Sequence, residues 1–277
     1  MLISFKEILD LAEEKKFAIP AFNVYNMETV MGVIAAAEEL NAPIILQCYS
    51  RLFTNGEGYF LAPVILAAAK KAKVPVAFHL DHGASESEVM KAVRYGATGV
   101  MIDKSLLSLE ENIEGTKNVV DLCRDIDVPV EGELGHIGVA AQGDEKTIAY
   151  TEVADAKKYV EETGVTALAI MVGTAHGRYK QAPKLAIERI KEIHEAVDAA
   201  LVLHGGSGVP DEEIKAAIEA GIRKINFGTD LCYSFLDKVF ETSREKVGID
   251  LFMKDAIVNV SEFAKSKIKL LGAENKA

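Results

Sequence analysis

The stretch Val74-Pro75-Val76-Ala77-Phe78-His79-Leu80-Asp81-His82-Gly83 begins as an apolar run of strand type and ends on three ionisable side chains and a glycine. A run that turns polar only at its C-terminal end reads as a strand whose end lines a site. The pattern recurs outward from it in both directions. Apolar runs at 17–24, 43–48, 74–80, 99–103, 128–134, 167–172, 200–203 and 222–227 alternate with segments of mostly helical spacing. At or just beyond their C-terminal ends stand Asn23, Gln47, His79 with Asp81 and His82, Asp103, Glu133, His176, His204 and Asn226. Eight parallel strands closed into a barrel bring all these ends to one mouth, which a doubly wound open sheet cannot do. The expectation is an α/β fold: a single (β/α)8 (TIM) barrel domain over residues 1–277, with additional C-terminal helices after Leu231.

Helix ends support that reading. Asn26 precedes a helix over 27–40, Ser85 one over 86–95, and Pro210 with Asp211 opens another that Gly221 closes. The 277 residues, 49% hydrophobic and 26% charged, suffice for one such barrel, which typically takes about 250. Forty-two acidic against 31 basic residues give a net charge of −11, which argues against a nucleic-acid partner. Cys48, Cys123 and Cys232 fit neither a disulfide framework nor a cysteine zinc site, so a reducing cytoplasmic location is expected. The N-terminus is amphipathic and acidic rather than signal-like, and no run of 18 apolar residues occurs, so no membrane partner is expected.

Five of the six histidines fall at strand ends; His194, in a helix over 185–197, is read as a surface or packing residue. His82, His176 and His204 follow the third, sixth and seventh strands amid small residues, and three imidazoles with an open position suit catalytic Zn2+, although another divalent metal can take the same nitrogens. Neighbours on a regular strand point to opposite faces, so Asp81 is read as the general acid and base beside the metal rather than as a ligand. Asp103 and Glu133 would orient the histidines or hold an alternate metal position, and His79 would pack within the barrel. The glycine-rich segments GTAHGRYK (173–180), HGGSG (204–208) and NFGTD (226–230) offer phosphate-binding amides at Gly177, Gly205, Gly206 and Gly228, hydroxyls at Ser207 and Thr229, and the Lys180 cation.

These residues, in this order and spacing, resemble the class II, metal-dependent ketose-bisphosphate aldolases, which include the fructose-bisphosphate and tagatose-bisphosphate enzymes. The resemblance spans nearly the whole chain: IPAFNVYNMETVMGVIAAAEELNAPIILQ (19–47), VPVAFHLDHG, VEGELG (130–135), GTAHGRYK, LHGGSGVP and IRKINFGTD. It implies a zinc-dependent aldolase that reversibly cleaves a ketose 1,6-bisphosphate, or a related ketose 1-phosphate, to dihydroxyacetone phosphate and an aldehyde. His82, His176 and His204 would hold zinc and Asp81 would protonate the aldehyde oxygen in condensation. Gly177, Lys180, Gly205, Ser207 and Thr229 would hold the phosphate, and Asn226 the reacting part of the three-carbon fragment. Asn23, Gln47, Ser50 and Arg51 are the further candidates for substrate contact, the last three for the aldehyde half. The partner would be a small-molecule sugar phosphate, and the assembly a homodimer or homotetramer.

The resemblance breaks at one place. Where the family usually reads GGxE after the glutamate motif, this chain has Val139 for the second glycine and Ala141 for the acid, with Asp144, Glu145 and His136 as candidate replacements. Gly228 likewise stands where related enzymes often carry an acidic or polar residue. The departures leave open a substrate other than that of the standard glycolytic enzyme. They also leave open two other readings: a metal-dependent sugar-phosphate epimerase or isomerase, and a non-catalytic sugar-phosphate-binding protein. A Schiff-base aldolase would need Lys104 or Lys224.

Overall fold

Apolar segments buried on both faces form the barrel wall. In the computed structural model, which describes residues 1–135, 150–175, 177, 179 and 181–277, these segments are β1 (Ile19–Asn23), β2 (Ile44–Tyr49), β3 (Val76–Gly83), β4 (Gly99–Ile102), β5 (Val130–Leu134), β6 (Ala167–Ile170), β7 (Ala200–Leu203) and β8 (Ile222–Phe227). They pair in sequence order, all parallel, and β8 pairs back onto β1, so the sheet closes without an edge. Every residue of β1 and β8 is buried, as expected of parallel strands covered by helices outside and side chains inside.

The helices are α1 (Phe5–Lys15), α2 (Met27–Glu39), α3 (Ser50–Asn55), α4 (Gly58–Lys71), α5 (Glu86–Arg94), α6 (Leu109–Arg124), α7 (Val153–Thr163), α8 (Ile187–Ala196), α9 (Asp211–Ala220), α10 (Thr229–Glu241) and α11 (Ile249–Leu270). Local chemistry starts several of them. Ser4 and Glu7, Asn26 and Thr29, and Ser108 and Glu111 form reciprocal capping boxes at α1, α2 and α6, each satisfying two otherwise unpaired backbone donors. Phe5, Ile8, Leu9 and Ala12 bury one stripe of α1 against the N-terminal end of the barrel, and the Phe5 ring lies 4.4 Å from that of His79. At the other side of the wall α11 packs over α2 and α10, close enough that a Cβ on Gly32 would come within 2.7 Å of Val260.

Three boundaries differ from the sequence reading. β3 runs on through Asp81 and His82 to Gly83 because the barrel mouth absorbs their polar side chains. The six-residue α3 directly after β2 was not anticipated, being too short to show a helical period. α10 opens at Thr229, immediately after β8, so it serves as the eighth crossing helix and α11 alone is the extra tail element. Among the described residues no helix is long and apolar enough to cross a membrane.

Candidate active site at the barrel mouth

Adjacent residues of a regular strand diverge, yet Asp81 and His82 enter the same space. The pairing of β3 with β4 steps from Leu80↔Val100 to Gly83↔Ile102, three residues on one strand against two on the other. This bulge is completed by His82 in the left-handed region, at φ 51°, a conformation that costs a non-glycine residue about 1–3 kcal/mol and clusters at functional sites. Gly83 closes it: a Cβ there would lie 2.4 Å from the Met101 carbonyl oxygen. The expectation that Asp81 and His82 point apart is corrected by this bulge. One donor atom each from Asp81, His82 and His204 lies within 4.8 Å of the others, and His82, Asp103 and Glu133 form a second such group.

Carboxylates set how the two histidines present themselves. His82 Nδ1 is 2.9 Å from Asp103 Oδ2, which leaves Nε2 for the mouth; Asp103 Oδ1 in turn accepts from the Ser105 backbone N–H and hydroxyl at 3.0 and 2.7 Å. His204 Nε2 is 2.9 Å from Glu131 Oε1, and its Nδ1 lies 3.3 Å from Glu133 Oε2. Burial would lower the His204 imidazole, but hydrogen bonds to Glu131 and Glu133 raise it from 6.5 to about 10. Burial would raise the Asp103 carboxyl, but His82 and Ser105 hold it well below the ordinary carboxylate range. Two imidazoles oriented by acids, with the Asp81 carboxylate beside them, are a donor set that fits a divalent cation.

Asp81 is gripped by amides. Its Oδ2 accepts from Asn23 Nδ2 at 2.6 Å and its Oδ1 from Asn226 Nδ2 at 3.1 Å, while Gln47 Nε2 donates to Asn23 Oδ1 at 3.2 Å. Burial works to raise the Asp81 carboxyl, yet the charges of His82, His204 and Lys224 and the Asn23 hydrogen bond outweigh it and keep it below its ordinary value. Asp81 is therefore an ionised carboxylate in a fixed orientation.

A cavity of about 110 Å³ opens above these groups, with Asn23, Asp81, His82 and Asn226 at its base. Gly177, Gly205, Ser207, Gly228 and Thr229 wall one side, and Tyr25 and Tyr49 another. Gly205 takes φ 67°, and a Cβ on it would meet the Ala175 carbonyl oxygen at 2.4 Å, so only glycine fits. Tyr179 latches the loops after β6 and β7, its hydroxyl donating to Gly205 O at 2.9 Å and accepting from Ala175 N–H at 2.7 Å. The turn after β7 is tied to the first turn of α10: Ser207 Oγ accepts from Asp230 N–H at 3.2 Å and Gly208 N–H donates to Asp230 Oδ2 at 3.1 Å. Gly228 is the cap residue of α10 and Thr229 its first residue, so a helix N-terminus borders the cavity, a favourable place for an anion.

Several expected positions fall elsewhere. Ser50 is buried at the start of α3 and, like Gly206 and Gln47, does not line the cavity; Gln47 acts on it through Asn23. Arg51 is exposed, its guanidinium 5.4 Å from the centre of the Tyr49 ring. Neither Schiff-base candidate opens into the cavity: Lys104 donates to Ala84 O at 3.0 Å, and Lys224 is buried 2.8 Å from Glu131. His136, Val139, Ala141, Asp144, Glu145, His176 and Lys180 lie outside the described residues. Tyr25, Tyr49, Tyr179 and Glu131 were missed in the sequence. Glu131 was the most findable, since it shares the strand parity of Glu133 in VEGELG.

An eight-stranded parallel barrel with this cluster at its C-terminal mouth has the architecture of a barrel enzyme. Residues 3–276 match the model of the class II fructose-bisphosphate aldolase family, and the chain belongs to that family of metal-dependent carbon–carbon lyases. It is 39% identical over 269 residues to the YdjI protein of Escherichia coli K12, covering 96% of each chain. The crystal structure of that YdjI aldolase superposes with a TM-score of 0.91 over all of both chains, at 37% identity. A sulfofructosephosphate aldolase of Alkalicoccus urumqiensis is 37% identical over 287 residues, 99% of this chain and 98% of that one. The structure of a putative fructose-1,6-bisphosphate aldolase from Coccidioides immitis superposes with a TM-score of 0.90 at 26% identity, covering 98% of this chain and 96% of that chain.

Proposed function

We propose that this aldolase is zinc-dependent and reversibly cleaves a ketose 1-phosphate or ketose 1,6-bisphosphate to dihydroxyacetone phosphate and an aldehyde. The observation that carries the reading is the convergence of Asp81, His82 and His204 within 4.8 Å, with Asp81 and His82 at the base of a glycine-walled cavity. His82 and His204 would hold the cation, with His176 assigned as the third ligand by family resemblance. A divalent cation there would supply Lewis-acid stabilisation for the negative charge that develops on the ketose oxygens as the carbon–carbon bond breaks.

The chain's own groups do the rest. Asp81 Oδ takes the hydroxyl proton from the carbon that becomes the aldehyde and returns it in condensation; the hydrogen bonds from Asn23 and Asn226 aim it and keep it ionised. The amides of Gly177, Gly205, Gly206 and Gly228, with Ser207, Thr229, Lys180 and the α10 N-terminus, fix the phosphate and so orient the scissile bond. Asn226 contacts the three-carbon fragment. Asn23 contacts substrate, and Gln47 and Ser50 support the aldehyde side from behind the cavity lining, where Arg51 beside Tyr49 meets a second anionic group. We assign a cytoplasmic location and a homodimeric or homotetrameric assembly, with the exposed apolar residues Phe240, Val247 and Ile249 around the α10–α11 turn as contact surface.

The test is to incubate zinc-loaded protein with fructose and tagatose 1,6-bisphosphates, sulfofructose phosphate and simple ketose 1-phosphates, and to measure triose phosphate. Release that stops on chelation and returns with zinc is the expected result. Epimerised sugar without fragments would select an epimerase instead, and full turnover by metal-free protein would overturn the zinc assignment.

A further inference from the structure

Beneath the mouth lies a sealed set of ionisable groups that the aldol reaction does not touch. Lys224 on β8, Glu131 on β5 and His79 on β3 all have no solvent exposure. Lys224 Nζ is 2.8 Å from Glu131 Oε2, and His79 Nε2 is 3.5 Å from the same oxygen. The other oxygen of Glu131 faces upward, 2.9 Å from His204 Nε2. Phe5 closes the set from below, its ring stacked near His79 and 5.9 Å from Lys224 Nζ. A buried ion pair of this kind is a poor source of stability, because desolvating both charges offsets most of their attraction and apolar replacements of similar volume are often neutral or better. Its presence in a barrel core therefore asks for another reason.

We propose that Lys224 and Glu131 form a positioning pair that decides which nitrogen of His204 is turned to Glu133 and the metal-binding cluster. An ionised carboxylate only accepts hydrogen bonds, so Glu131 Oε1 requires a proton on His204 Nε2 and leaves Nδ1 on the opposite side of the ring, 3.3 Å from Glu133 Oε2. Lys224 neutralises the buried carboxylate and occupies its second oxygen, which keeps Glu131 both charged and directed at the histidine. The Asp103–His82 contact does the same from the solvent side with a partly exposed acid. His82 and His204 are thus set by opposite means, one through an acid open to water and one through an acid paired with a buried lysine. The consequence for metal affinity rests on the reading of His204 as a ligand.

Three variants test this: Glu131→Gln, Lys224→Met, and the double replacement Glu131→Met with Lys224→Met, which keeps volume and removes both charges. Zinc affinity is read by competition with a chromophoric chelator, geometry from the visible spectrum of cobalt-loaded protein, stability from melts of metal-free protein, and the His204 Nε2–H from its downfield proton resonance. Both single variants are expected to lose about 10–100-fold in zinc affinity. The double variant is expected to recover the melting temperature without recovering the affinity, a separation that a purely structural pair would not produce. A double variant with wild-type zinc affinity and an unaltered cobalt spectrum would overturn the proposal. Should the wild-type chain bind neither metal, the ligand reading of His204 falls, and the pair is then decided by the Nε2–H signal: its loss in the single variants upholds the positioning role, its persistence refutes it.

Discussion

Two tiers of polar side chains occupy the barrel, drawn from the same strands two residues apart: Asp81 above His79 on β3, Glu133 above Glu131 on β5, and Asn226 above Lys224 on β8. The lower tier is sealed: Glu131 takes Lys224 and His204 at hydrogen-bond distance, His79 lies 3.5 Å from it with neither ring nitrogen hydrogen-bonded among the described residues, and an aromatic ring closes the set off. The upper tier is held as firmly, yet Asp81 and His82 border a cavity: Asp81 takes one amide on each oxygen, His82 has Nδ1 on Asp103, and His204 behind them has an acid beside each ring nitrogen. The lesson is that burial alone does not separate a functional group from a structural one in this barrel. What separates them is whether the group stands at the cavity or is sealed beneath it.

The sharpest way to break this contrast is at Asp81. Asp81→Asn keeps the size and removes the base, so cleavage should fall by about 10²–10⁴-fold while zinc content stays at the wild-type level, checked by steady-state kinetics beside metal analysis. A fall of less than threefold would move the proton-transfer role to another group.

The next effect is one of pH. In the metal-free protein the His204 value, about 10, lies above its ordinary 6.5, so its contribution to stability is complete below about pH 6.5 and is lost as pH rises toward 10. The melting temperature of metal-free protein should decline across that interval, and zinc affinity should increase over it as the competing proton leaves. Asp103 and Glu131, held low, act in the reverse sense and withdraw their support only in acid. A melting temperature flat from pH 6.5 to 10 would show that the carboxylates do not hold His204 protonated. The smallest effect belongs to the far end of the barrel. Ser4→Ala removes the α1 cap, should cost about 1 kcal/mol, and should leave turnover at the mouth unchanged, checked by thermal melts and kinetics together.

All eight strands were visible in the sequence because parallel strands covered on both sides must be apolar along their length, and their polar residues stood at the ends that converge on the mouth. The cluster of Asp81, His82 and His204 was visible as residue types in the right places. Ser50 stands behind the cavity lining because α3 starts on it, a helix of six residues too short to announce itself in the sequence. The tyrosines at 25 and 49 were missed because an aromatic ring after a strand reads as packing until the wall it forms is seen.

The sequence by itself determined the strand order, the common direction of the strands and the identity of the side chains delivered to the mouth, since alternating strand and helix segments leave little choice of connection. The tertiary structure decided how those side chains meet. Asp81 and His82 share a cavity only because β3 slips register against β4, an event between two strands that no single run of residues encodes. His204 Nε2 meets a carboxylate only because Glu131, 73 residues before it, is brought beneath it, where Lys224, 93 residues after Glu131, holds the other oxygen. Spacing along a chain sets which groups arrive; hydrogen-bond partners from other strands set their protonation and their aim.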